Sequence, residues 1–130
     1  MFVLGLKICY HKNTMKKQAD YWLSAANRDR ETAKDLFKTK HYDACLFFCH
    51  LTLEKMLKGL VVTATRKPAP YVHDLVRLAV LAKLPLARAQ EEGLAIITTF
   101  NIAGRYQDEK SSLYKKATPS YTKKYLNLTN

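Results

Sequence analysis

The chain has 130 residues, 48% of them hydrophobic, and a formal net charge of +11. That length suits one domain, able to bury roughly two thirds of the surface its unfolded form exposes. No apolar run approaches the ~20 residues that a helical bilayer span needs, so a role as a membrane-spanning helix is excluded.

In chain order, residues 1–14 fit no helical scheme and read as an N-terminal arm or short strand. The stretch Phe2–Tyr10 looks like an export signal, but Lys7 interrupts it, and no basic region precedes it. Met15 stands immediately before the first helix as a candidate start, and residues 15–130 read as one bundle. The first helix runs from about Lys17 to Lys38, with Tyr21/Trp22, Ala25/Ala26, Ala33, Leu36 and Phe37 as its inward stripe. A short turn, 38–41, makes the second helix its antiparallel neighbour.

That second helix, Tyr42 to about Ala64, is apolar nearly all round, which puts it at the centre of a bundle. Its polar residues His50, Glu54 and Lys58 fall at i, i+4 and i+8, a single stripe that needs partners or a job. Glu54–Lys58 has the favoured order for a pair within a helix. Cys45 and Cys49 share a face one turn apart while His50 points about 100° away, so these residues read as buried thiols rather than metal ligands. Three cysteines, an odd number, give no disulfide framework, and the chain reads as cytoplasmic.

Pro68 and Pro70 force an extended loop. A third helix follows from His73 or Asp74 to Lys83, and Pro85 opens a fourth that carries Leu86, Ala89, Gly93, Ile97, Phe100 and Gly104 on one stripe. Residues 111–117 are polar. Thr118-Pro119 then reads as an N-cap with proline at the first helical position of a short fifth helix, about 119–126. The fold class is therefore all-α, an antiparallel up-and-down helical bundle of four to five helices.

Charge is uneven along this chain. Residues 1–20 carry +3 and residues 110–130 carry +5 with no acid, while the body between them carries only +3. The tail alternates tyrosines with lysines from Tyr106 to Tyr125, a composition suited to bases stacking on rings while lysines neutralise phosphate. Solubilising ends explain the same lysines. Glycine-rich phosphate loops, nucleophile motifs and metal-ligand spacings are absent from the sequence, and no cofactor or metal is expected.

Four motifs in order resemble the HEPN domain (higher eukaryotes and prokaryotes nucleotide-binding). They are His41-Tyr42-Asp43-Ala44, Leu53-Glu54-Lys55-Met56-Leu57-Lys58, His73-Asp74-Leu75, and Arg105-Tyr106-Gln107-Asp108 with glutamine where the family has proline. The opening helix is similar too, through Trp22, Ala25, Asp29, Ala33 and Leu36. The resemblance covers roughly residues 18–126. It implies an antiparallel bundle that forms homodimers. It also implies one of two roles: a metal-independent ribonuclease built on Arg followed shortly by His, or a histidine-less partner of a minimal nucleotidyltransferase in a toxin–antitoxin pair.

No histidine follows Arg105 anywhere. Moving a proton at the 2′-hydroxyl near neutral pH is histidine's task, and Asp108 could do it only with a greatly raised pKa. Arg66 and His73 also have the spacing of the nuclease pair, but the proline loop separates them from any common helix face. The reading is therefore a non-catalytic module binding nucleotide or RNA phosphate. Its candidate ligand residues are Arg105, Tyr106, Asp108, Lys58, Glu54 and His73: Arg105 and Lys58 on phosphate, Tyr106 stacking, Glu54 and His73 orienting. Two alternatives stand beside it, a dimeric ribonuclease using Arg105 with Asp108 or a histidine supplied from elsewhere, and a purely structural dimer whose polar residues set register.

Overall fold

A computed structural model describes the backbone of residues 2–103 and 107–129, with side chains over 14–102 and 111–129. Six helices follow one another: α1 (Phe2–Lys38), α2 (Tyr42–Thr65), α3 (Leu75–Leu81), α4 (Arg88–Ala103), α5 (Gln107–Lys116) and α6 (Pro119–Thr129). There is no strand among the described residues, and the all-α bundle is as the pattern predicts.

α1 and α2 make the antiparallel pair on which the rest packs. Small residues set their approach: Ala25, Ala26 and Ala33 are buried, and Gly59 of α2 leaves room for α1. A Cβ there would stand 3.1 Å from Leu23 Cγ and 3.3 Å from Trp22 Cβ. Lys55 Nζ then reaches Asp29 at 2.6 Å across the pair. Lys40 adopts a positive φ of 65° in the connecting turn, where His41 N–H donates to Leu36 O at 2.8 Å and closes the end of α1.

The structure departs from the sequence reading at the start of α4, which begins at Arg88 and leaves Pro85 and Leu86 in the preceding loop, and in three further places. α1 begins at Phe2 rather than near Lys17, so residues 2–14 are helical backbone and not a strand. No proline and only Gly5 stand between Phe2 and Lys17, so nothing there stops a helix once α1 has nucleated. Tyr21, placed on the inward stripe, is 63% exposed, while its neighbour Trp22 is half-buried. Adjacent residues lie about 100° apart on a helix, and the narrow α1–α2 seam admits one of the two rings. The polar segment before Thr118 forms α5, anchored by buried Leu113, which makes the helices six among the described residues rather than four to five.

The main core lies where α2, α3, α4 and α6 meet, around Leu46, Leu75, Leu78, Ile97, Phe100 and Tyr125. Phe100 is 1% exposed and meets the Tyr125 ring edge-on at 5.5 Å. Tyr121 adds a third ring, 4.9 Å from that of Tyr125, and burial pushes its phenol above the usual range. Within α6 the tyrosines therefore turn inward as lysines turn outward: Tyr125 is buried and Lys123 and Lys124 are exposed, whereas Tyr114 of α5 is 71% exposed. α6 starts as expected, with Thr118 Oγ1 accepting from Tyr121 N–H at 3.2 Å and Pro119 first in the helix.

A second cluster joins Ala33, Cys45, Cys49 and Leu126. Both cysteines are free and fully buried, and the hydrogen bond to Cys49 together with burial pushes the Cys45 thiol up, as suits an inert core group. No helix among the described residues is long and apolar enough to cross a membrane.

Candidate functional site

α2 is long enough to carry His50, Glu54 and Lys58 over two turns of one face, and that face is buried: they are 0%, 6% and 7% exposed. Buried charge needs partners. The extended loop 66–74 supplies them. After α2 ends, Arg66 caps it in the left-handed region with φ 56°, and the chain doubles back. Ala69 packs against the cluster of Met15, Ala19, Val62 and Trp22. Four residues later His73 reaches Glu54, and Asp74 caps α3 by accepting from Val76 N–H at 3.0 Å. The two prolines keep this return path extended.

The result is a chain of four polar side chains. His73 Nδ1 meets Glu54 Oε1, and Lys58 Nζ stands 3.5 Å from the same oxygen. His50 Nε2–H donates to the His73 carbonyl at 3.2 Å. Lys58 also sits over the Trp22 ring, 5.4 Å from its centre. Glu54 and Lys58 side chains are 8% and 9% exposed, whereas that of His73 is 47% exposed. The solvent-facing member of the group is therefore the His73 imidazole.

His50 is the innermost of the four. Burial lowers its pKa against the opposing pull of the His73 carbonyl and Glu54, so the ring is neutral near pH 7. Its Nδ1 has no hydrogen-bond partner among the described residues. His50 points to the loop and not to the Cys45/Cys49 face. Among the described residues no group of His, Cys, Asp or Glu is placed to hold a metal ion.

Of the residues expected at the site, Glu54, Lys58 and His73 come together. Arg105 and Tyr106 lie outside the described residues, and of Asp108 only the backbone, within α5, is described. α4 leads towards them: Thr98 Oγ1 accepts from Leu75 N–H at 3.1 Å, fixing α4 against the start of α3, and buried Asn101 follows one turn on. Arg66 and His73, the other Arg–His spacing, serve different ends of the loop, one capping α2 and the other on Glu54. Sequence reasoning missed Trp22 as the platform for Lys58, since only the folded α1–α2 seam brings the two together.

The HEPN domain family model matches residues 19–130. The chain belongs to the HEPN domain family. A crystal structure of TT1696 from Thermus thermophilus shares the fold, with a TM-score of 0.71 at 22% identity over 86% of this chain and 90% of that one. Among curated proteins no match is found. Within this HEPN domain the segment 53–58 of α2 and the segment His73-Asp74-Leu75 are the two parts joined by the Glu54–His73 pair.

Proposed function

We propose that this HEPN protein is a non-catalytic binding module, a cytoplasmic homodimer that partners a nucleotidyltransferase in a toxin–antitoxin pair and takes nucleotide or RNA phosphate beside Arg105. The observation that carries the reading is chemical: Arg105 has no histidine after it, and the innermost histidine of the α2 seam, His50, is already committed to the His73 carbonyl. The Arg105 segment thus carries no histidine of its own to shuttle a proton, and the His73 imidazole is held by Glu54.

In this reading the Arg105 guanidinium grips phosphate through its planar fork, and Tyr106 stacks or hydrogen-bonds. Glu54 and His73 orient the ligand, with the half-exposed imidazole as the contact. Lys58, buried against Glu54 and Trp22, lends its positive field from behind.

The test pairs binding with cleavage. Calorimetric titration with nucleoside triphosphates should show binding by the wild type and its loss in Arg105→Ala. Unchanged binding in the variant would remove Arg105 from the site. Metal-independent RNA cleavage that vanishes in the variant would make the protein a ribonuclease.

A further inference from the structure

α6 folds back along the end of α1, and this brings together cations that lie far apart in sequence. Arg30, Ala33 and Phe37 stand at i, i+3 and i+7 on α1, so they share one face. That face meets α6: Ala33 packs in the same cluster as Leu126, and Lys123 Nζ lies 5.2 Å from the centre of the Phe37 ring. The seam between the two helices is consequently edged by Arg30 and Lys34 on one side and Lys123 on the other, with Lys38 and Lys40 at its end. Lys38, Lys40 and Lys123 are exposed, and none of them is in an ion pair among the described residues. Arg30 Nε is buried without a hydrogen-bond partner there.

Acids do not cancel this group. Glu31 takes Lys34 at 3.4 Å, Asp35 stands one turn before Lys38 without forming an ion pair to it, and α6 contains no acid at all. Asp43, in the first turn of α2, is the remaining acidic neighbour. Meanwhile Tyr121 and Tyr125 are spent on Phe100 and offer no open face for a base. A row of lysines with its aromatic rings turned inward suits the phosphates of a strand and ignores the bases.

We infer that the α1–α6 seam is a second anion-binding surface, separate from the Glu54 end of the molecule, which holds the phosphodiester backbone of single-stranded RNA without reading its sequence. Lys38, Lys40 and Lys123 neutralise phosphates, and the Phe37 ring holds the Lys123 ammonium in place. This surface does not depend on what Arg105 binds, so a failed nucleotide titration leaves it standing.

The experiment is fluorescence anisotropy with a labelled oligouridylate of about 20 nucleotides, longer than one site, followed between about 50 and 200 mM salt. Wild type should bind, with affinity falling steeply as salt rises. Lys38→Ala/Lys40→Ala/Lys123→Ala should lose at least about tenfold in affinity, and its salt slope should fall by about 2, as three lost phosphate contacts dictate. The triple lysine-to-arginine variant should bind as wild type does, and oligoadenylate should match oligouridylate. Arg77→Ala/Lys83→Ala, which removes exposed charge around α3 instead, should keep its affinity. Equal losses in the two alanine variants would show a mere net-charge effect and overturn the assignment, as would an unchanged triple alanine variant. Binding to phosphatidylserine vesicles with no RNA binding would overturn it too, by making a membrane surface the partner.

Discussion

His73, on the loop after α2, holds the Glu54 carboxylate from outside the helix that carries it, while Lys58 holds it from within. The loop 66–74 is thereby tied to the middle of α2, and α3 starts from a fixed point. Because Glu54 is 8% exposed, removing it strands the Lys58 charge in an apolar seam. Glu54→Ala should cost about 3 kcal/mol in urea unfolding, whereas His73→Ala, at a half-exposed partner, should cost about 1 kcal/mol or less. Replacing Glu54 and Lys58 together by leucine should recover most of the loss; a double variant as unstable as Glu54→Ala would contradict the pairing.

His50 gives the fold a pH dependence with a definite sign. Its pKa in the folded chain lies below the ordinary 6.5, so the unfolded chain takes up the proton first as pH falls. Stability should therefore be level above 6.5 as far as His50 is concerned and fall below it, by up to about 1.4 kcal/mol per pH unit, until the folded ring also protonates. In His50→Gln, which keeps a donor towards the His73 carbonyl, the slope below pH 6.5 should flatten. Wild type and variant losing stability in parallel over that window would place the proton elsewhere.

Two glycines should respond oppositely to the same substitution. At Gly59 a new Cβ meets Leu23 Cγ at 3.1 Å and Trp22 Cβ at 3.3 Å, and the Trp22 Cβ is fixed to the α1 backbone, so the α1–α2 pair must open slightly and Gly59→Ala should destabilise by about 1–3 kcal/mol. At Gly93 the contact is Leu128 Cδ2, the tip of a side chain that is 43% exposed and able to move. Gly93→Ala should then be neutral or gain up to about 1 kcal/mol from helix propensity. Melting temperatures of the two variants moving in the same direction would contradict the packing described.

Much of this was legible from the residues. The polar stripe His50, Glu54 and Lys58 stands out because the rest of α2 is apolar, and the cap at Thr118 is written in a side chain that satisfies a helix end, whereas Asp74, read as part of the third helix, is its N-cap. α5 was not legible, since Leu113 is its one buried residue among those described and a single apolar position has no period. Nor could periodicity show that His73 would reach Glu54, nineteen residues earlier, because that contact depends on the path of the proline loop. Tyr21 and Trp22 are adjacent aromatics that pattern alone does not rank. At the candidate site the sequence supplies Arg105, the histidines and the Glu54–Lys58 pair, while the partners of His50 and His73 and the Trp22 ring under Lys58 come only from the fold.

Phe100 is the pin that holds α6 to the bundle, through Tyr121 and Tyr125. Phe100→Ala should cost about 3–5 kcal/mol and loosen α6 before the α1–α2 pair. Amide exchange should show protection lost first in Pro119–Thr129; exchange rising evenly over all helices would contradict that order.

The central claim is that this HEPN domain binds through Arg105 without cutting. The most direct measurement is cleavage of a fluorescent single-stranded RNA panel, with and without EDTA, by wild type and Arg105→Ala. The account predicts no cleavage by the wild type above the background of the variant. Metal-independent cleavage by the wild type that disappears in Arg105→Ala would contradict it and make the chain a HEPN nuclease without the usual histidine.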